Sequence, residues 1–223
     1  NVRFIYASSA EVYGLGEHGF DDTLDIAYMS KLRPLNANGW SKKLFDIHVA
    51  QTIQRKEKTP RQWAGLRFFN VYGPHEYHKG DHRSVMNKLY HDAAHGMPVK
   101  LFKSQNAKYA DGMQERDFVY VKDCVSVILW LLASPAVSGL FNVGTGTART
   151  FNDLAKAIFA AINKPVQIKY IDMPDKVEHQ YQYHTQAKVD RLQKAGFERP
   201  FTTLEQGAVD YIQNYLSKKD PYL

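Results

Sequence analysis

At 223 residues the chain is long enough to bury a core without metal or disulfide staples, and its single cysteine, Cys124, excludes an internal disulfide framework and fits a reducing compartment such as the cytoplasm. The formal charge of +6 is scattered among acids, as in Lys56-Glu57-Lys58 and Glu115-Arg116-Asp117, a pattern that suits steering of small anions better than a nucleic-acid face. The longest apolar run, 125–133, falls far short of the roughly 20 residues that cross a bilayer, and no charged-then-apolar leader opens the chain, so neither a membrane span nor a signal peptide is expected.

Residues 2–7, Val-Arg-Phe-Ile-Tyr-Ala, read as a buried strand in full course, as of a fold entered midway. Trp40, Leu44, His48, Val49 and Ile53 follow a helical stripe to about residue 54, and 63–69 is a second buried strand. A polar stretch over 70–80 follows. A helix over 84–95 is stopped by Gly96 and Pro98. Residues 118–121 are extended, and 122–133 form an apolar helix with Asp123 at its positive end. A strand over 140–143 runs into Gly144-Thr145-Gly146. Thr150-Phe151-Asn152-Asp153 resembles a helix-start cap, and Thr203-Leu204-Glu205-Gln206 is a capping box, so helices are expected over 151–162 and 204–217, flanking a strand at 166–171. This alternation predicts an α/β layered fold, with neither repeats nor low-complexity segments.

The order of local strings carries more. Ser8-Ser9-Ala10-Glu11-Val12-Tyr13-Gly14 follows a strand; Ser41-Lys42 lies on a helix; Arg67-Phe68-Phe69-Asn70-Val71-Tyr72-Gly73-Pro74, Arg116-Asp117-Phe118-Val119-Tyr120-Val121 and Phe141-Asn142-Val143-Gly144-Thr145-Gly146 come after it. In this series the chain resembles the extended short-chain dehydrogenase/reductase family. Pro74-His75-Glu76-Tyr77-His78-Lys79-Gly80, Pro174-Asp175-Lys176, and Tyr181-Gln182 with Thr185-Gln186-Ala187 are similar to that family's heptose 6-epimerase branch. The resemblance implies the C-terminal part of a Rossmann-type doubly wound parallel sheet with a smaller α/β substrate-binding lobe. It implies a partial cofactor domain over 1–70 and 117–150 and a nucleotide-sugar lobe over 71–116 and 151–223. The family's opening strand, glycine-rich turn and helix are absent, and Gly144-Thr145-Gly146 lacks the third glycine and the downstream acid of that fingerprint.

The resemblance further implies NADP as cofactor, ADP-heptose or a related nucleotide sugar as substrate, lipopolysaccharide inner core synthesis as the pathway, and a homo-oligomer in the cytoplasm, with neither nucleic acid nor membrane as partner. Epimerising an unactivated secondary carbon requires its hydroxyl to be oxidised first, so a nicotinamide exchanges hydride while the protein moves protons. In the family a tyrosine is the acid/base, and a lysine four residues on lowers its pKa and holds the nicotinamide ribose. A serine ending the preceding strand bonds the reacting oxygen. Ser9 and Lys42 take two of these positions, but the tyrosine position is Asn38, whose amide has no proton to lose. An impaired enzyme is therefore expected. Lys79 matches the branch's second acid/base, on the opposite face of the sugar, and also a cofactor contact.

By the same resemblance Asn70 contacts substrate and Val71 the cofactor. Arg116 forks onto phosphate, Phe102, Lys103, Ser104 and Gln105 border the nucleotide, and Tyr181 reaches the diphosphate. Asp81 stands where a serine is common and Lys88 where a histidine is. Two other readings stay open: an epimerase or dehydratase for another nucleotide sugar, and a non-catalytic ADP-sugar-binding module. His91-Asp92-Ala93-Ala94-His95 superficially resembles a zinc-protease string but lacks a signposted third ligand, so no metal is expected and an exposed helix face is. Cys124 reads as a buried thiol, and Tyr211 and Tyr215 as core packing.

Overall fold

The computed structural model describes residues 2–175 and 181–220; Lys176 of the family string lies outside them. In chain order the strands are β1 (Arg3–Ser9), β2 (Gln62–Phe68), β3 (Asn70–Tyr72), β4 (Val99–Phe102), β5 (Glu115–Arg116), β6 (Phe118–Tyr120), β7 (Gly139–Val143), β8 (Arg149–Thr150) and β9 (Ile168–Ile171). The first helices are α1 (Ile26–Lys31), α2 (Ala37–Gln54), α3 (Val85–Ala94), α4 (Val121–Ala133) and α5 (Phe151–Ala161), followed by a short helix Asp190–Lys194 and a terminal helix Leu204–Tyr211. β1, β2 and β7 form a parallel sheet in the order β1-β2-β7, the expected Rossmann-type layer. Among the described residues three two-stranded ladders complete the pairing: β3 with β6 and β4 with β9, both parallel, and β5 antiparallel to β8.

Among the described residues the core comprises two large apolar clusters and a small third one of Met29, Ala50 and Leu140. One packs Ala64, Leu66, Phe141 and Val143 of the sheet against Cys124, Val127 and Leu131 of α4, and takes in Leu192 and Phe197 from late in the chain. The other gathers Met86 and Leu89 of α3, Leu101 of β4, Leu154 and Ile158 of α5, and Ala208 and Tyr211 of the terminal helix. Both expected caps form: Thr150 with Asp153, and Thr203 with Gln206, are reciprocal capping boxes. The terminal helix ends as an α-helix at Tyr211 and continues as a π-helical turn over Ile212–Leu216 rather than as one α-helix to Ser217.

Two features lie beyond what the sequence pattern shows. Within the polar stretch 70–80, Asn70, Val71 and Tyr72 form a strand because they find parallel partners in Phe118, Val119 and Tyr120. In α2 the apolar stripe marks the helix but not its buried face. Trp40 is 39% and Leu44 61% exposed, while the helix buries Gly39, Lys43, Asp46 and Ala50. The buried polar members are satisfied: Lys43 Nζ donates to the carbonyl of Leu32 at 2.8 Å and Asp46 pairs with Arg67 at 2.8 Å.

The cluster around Tyr211 contains a tight contact with a testable consequence. A Cβ on Gly207 would lie 1.9 Å from the hydroxyl of Tyr72, and that buried hydroxyl has no hydrogen-bond partner among the described residues. Tyr72→Phe is therefore expected to raise stability by about 1 kcal/mol, since an unsatisfied buried hydroxyl costs about 1–3 kcal/mol. Gly207→Ala is expected to lower it by about 1–3 kcal/mol through overpacking, with partial recovery in the Tyr72→Phe background. Urea denaturation midpoints check both signs.

Candidate functional site

In open α/β sheets ligands gather beyond the carboxyl ends of the strands. Ser9 ends β1 and pairs with Phe68 of β2, so Asn70 lies just beyond the neighbouring strand end. The Ser9 hydroxyl accepts the amide of Glu11 at 3.1 Å, capping the 3-10 turn Ala10–Tyr13. That turn carries the Glu11 carboxylate to the first turn of α2, where the Asn38 side-chain amide donates to it at 2.7 Å. One turn along α2, Lys42 Nζ donates to the carbonyl of Ala7 at 2.9 Å. Ser9, Asn38 and Lys42 therefore come together at the end of β1. Glu11 joins them, and a bond across 27 positions of sequence left no signal by which to find it.

Tyr13 lies close by in sequence but is locked in place. It is 2% exposed, its hydroxyl donates to Asn142 Oδ1 at 2.7 Å, and Arg67 Nη1 donates to it at 3.0 Å. Burial pushes its pKa well above that of free tyrosine, which removes it as a stand-in for the missing phenol. Gly14 closes the turn at φ +59°, where a Cβ would meet the carbonyl oxygen of Arg33 at 1.9 Å, so only glycine fits.

Lys79 and Asp81 lie exposed in the 3-10 segment Tyr77–His82, and Lys88 is exposed on α3. None of the three makes a hydrogen bond or ion pair through its side chain with Ser9, Asn38 or Lys42. Asn70 is exposed at the head of β3, held by its amide to the carbonyl of Asp117 at 3.0 Å and by Thr185 Oγ1 at 3.4 Å; Val71 follows it, half-buried.

A second group of expected residues does converge. Arg116 is 7% exposed, with its guanidinium 5.1 Å from the ring of Tyr181 and 5.6 Å from that of Phe151. Phe102 meets Tyr181 edge-on at 6.3 Å, and Tyr181 meets Tyr183 at 5.3 Å. Tyr183 accepts the amide of Gln105 at 3.2 Å, and the Ser104 amide is held by Asp111 at 2.8 Å. Lys103 turns outward to Asp172 at 2.9 Å. Arg116 donates to the carbonyl of Glu115 at 2.8 Å, yet no carboxylate pairs with it among the described residues. Burial lowers its pKa from the usual guanidinium range, the mark of a cation held without a counterion.

Gly144-Thr145-Gly146 does not form a phosphate cradle. Its amides close on the buried Asp117 carboxylate, which accepts from Thr145 N at 2.7 Å, Thr145 Oγ1 at 2.7 Å, Gly146 N at 2.9 Å and Ala187 N at 3.0 Å. Cys124 is buried, its thiol pushed up to about 12 by desolvation, and is therefore inert. Only one of the paired histidines of α3 is exposed. His91 is half-buried against the rings of Tyr77 and Tyr90, and exposed His95 bonds back to the carbonyl of His91 at 2.7 Å.

A parallel sheet whose first strand ends in Ser9, with Lys42 of α2 beside that end, is the layer of a Rossmann-type protein. The chain belongs to the NAD dependent epimerase/dehydratase family, which matches residues 1–144. It is 50% identical over its whole length to ADP-L-glycero-D-manno-heptose-6-epimerase of Nitratidesulfovibrio vulgaris strain DP4, of which it spans 67%, and 44% identical to that of Fusobacterium nucleatum, of which it spans 68%. Among solved structures, ADP-L-glycero-D-manno-heptose-6-epimerase of Helicobacter pylori superposes with a TM-score of 0.72 at 28% identity, over 96% of this chain and 60% of that one. UDP-glucose 4-epimerase of Thermus thermophilus with NAD shares the fold, at a TM-score of 0.73 and 23% identity, over 95% of this chain and 63% of that one.

Proposed function

We propose that this chain is the catalytic and substrate-binding part of an epimerase that interconverts ADP-D-glycero-D-manno-heptose and ADP-L-glycero-D-manno-heptose by transient oxidation and re-reduction at carbon six. In this reading the enzyme uses NADP and works as a cytoplasmic homo-oligomer supplying lipopolysaccharide inner core synthesis. The cofactor domain is 1–70 with 117–150, and the nucleotide-sugar lobe is 71–116 with 151–223. The observation that carries the reading is Arg116, a buried guanidinium without a carboxylate partner among the described residues and flanked by aromatic rings. Such a cation calls for an anionic ligand, and a diphosphate bound to a flat base suits both the charge and the rings.

A nicotinamide dinucleotide would supply the hydride exchange when bound. Lys42, half-buried on α2 beside the end of β1, fits its ribose, and Val71 its neighbouring contact. A pyrophosphate cradle has no counterpart in Gly144-Thr145-Gly146, whose amides are taken by Asp117. Ser9 would turn its hydroxyl proton toward the reacting sugar oxygen while still accepting from Glu11. Lys79 would carry a proton on the far face of the sugar, with Asn70, Asp81 and Lys88 around the substrate. Arg116, Tyr181 and 102–105 would hold the nucleotide. Asn38 orients Glu11 but moves no proton, so turnover is slow. That same bond favours the second reading, a binding module without catalysis.

Calorimetry with ADP and UDP on the full-length protein tests the reading. ADP is expected to bind more tightly, and Arg116→Ala to weaken it by roughly 10- to 100-fold, the size of a lost charge-assisted hydrogen bond of about 1.5–3 kcal/mol. Equal affinity for UDP, or no effect of Arg116→Ala, would overturn it.

A further inference from the structure

The segment bearing Lys79 is closed on itself by a buried acid that the function above does not use. Glu76 is 3% exposed. Its carboxylate accepts both the amide and the hydroxyl of Ser84, each at 2.6 Å, and the hydroxyl of Tyr211 at 2.8 Å. Its own carbonyl accepts the amide of Lys79 at 3.0 Å. One residue thus grips the start of the 3-10 segment Tyr77–His82 through its backbone and the far end through its side chain, eight positions on. Within that span Gly80 turns the backbone at φ +53°, and Arg83 Nε ties back to the Gly80 carbonyl at 2.8 Å.

The grip is anchored in both neighbouring helices. Ser84 caps α3 by accepting the amide of Asn87 at 3.2 Å, and Asn87 in turn donates to the Tyr211 hydroxyl at 2.8 Å. Arg83 Nη1 closes the ring by donating to Asn87 Oδ1 at 3.2 Å. An ionised carboxylate accepts all three donors, whereas an amide with its oxygen toward the Ser84 N–H turns its NH₂ to the Ser84 and Tyr211 hydroxyls, so both of those bonds must reverse and lose their charge assistance. A loop joining a strand to a helix needs no buried acid merely to turn, and burying one is costly unless every lone pair is used. Fixing the backbone on both sides of a long, exposed lysine limits where its amine can travel, which is what proton transfer at one face of a sugar demands.

We propose that Glu76 is the positioning residue for Lys79: with Ser84 and Tyr211 it forms a clasp that holds the Tyr77–His82 segment in the one conformation that presents the Lys79 amine to the substrate. This rests on the proposed role of Lys79. Two measurements on the full-length protein separate the clasp from that role. Hydrogen exchange at the amides of 77–83 reads the clasp alone, and Glu76→Gln is expected to speed it tenfold or more. Turnover of ADP-heptose, followed in the native protein and in the Asn38→Tyr background, reads the role. Glu76→Gln is expected to lower kcat at least tenfold while ADP affinity, set by Arg116, stays within twofold.

Tyr211→Phe keeps the core ring and removes one donor, so it gives the same effects at smaller size and serves if Glu76→Gln fails to fold. Unchanged exchange in either folded variant overturns the clasp. Faster exchange with unchanged kcat overturns the positioning role, as does a kcat that falls only with the folded fraction. A wild type and an Asn38→Tyr variant that both bind ADP but never epimerise sink the function instead, and exchange then decides the clasp by itself.

Discussion

Asn38→Tyr, made in the full-length protein, is expected to raise the rate of ADP-heptose epimerisation by about 10²–10⁴-fold, the contribution of one positioned acid/base. Position 38 sits in the first turn of α2, one turn before Lys42, and its side chain already reaches the mouth of the site beside Ser9. The tyrosine would bring an ionisable hydroxyl to a place where the present amide can only orient its neighbour. Glu11 sets a limit on that gain. The carboxylate that now accepts from Asn38 would lie beside the new phenol and raise its pKa, working against the charge of Lys42, which lowers it. The rate of Asn38→Tyr with Glu11→Gln should therefore reach its plateau at lower pH than that of Asn38→Tyr alone. Interconversion of the two heptose epimers, read by proton NMR, checks both. A variant that binds ADP-heptose yet stays inert would leave only the binding-module reading.

Much of this site was legible because its chemistry is written in short strings. Ser9, Asn38 and Lys42 were named by the resemblance to the family's strings, and the four-residue step from 38 to 42 puts those two on one helix face. The capping boxes at Thr150 and Thr203 were readable for the same reason: the partner lies three residues away. What stayed hidden depends on distant pairing. β3 exists because β6 offers it a partner, and Glu11, Asp117 and Glu76 take their roles from residues 27, 28 and 135 positions distant, namely Asn38, Thr145 and Tyr211. The buried face of α2 was hidden for another reason. A pattern of apolar residues cannot reveal that the inward stripe is Gly39, Lys43, Asp46 and Ala50, because the charges there are made tolerable by partners on other elements.

The second large effect is expected at one of those partners. Asp46→Ala should lower the stability of the folded protein by about 3–5 kcal/mol, the cost of leaving a buried charge unpaired. Arg67 and Asp46 are both fully buried, and the pair does not stand alone. Tyr6 and Ser8 donate to the carboxylate at 3.1 and 2.9 Å, while the guanidinium also donates to the Tyr13 hydroxyl at 3.0 Å and the Asp21 carbonyl at 3.2 Å. Tyr13 then reaches Asn142 on β7, so one polar network links β1, α2, β2, β7 and the loop after Tyr13 directly beneath Ser9. The guanidinium keeps its charge: desolvation opposes it, but the Asp46 carboxylate and the hydrogen bonds around it outweigh that and raise its pKa. Replacing both members by apolar residues, Asp46→Leu with Arg67→Met, should cost clearly less than Asp46→Ala, because no charge is stranded. Urea denaturation of the three proteins measures this. If the double variant is the less stable one, the network stabilises by its own hydrogen bonds rather than by mutual neutralisation, and the floor of the site is held by Tyr6, Ser8 and Tyr13 instead.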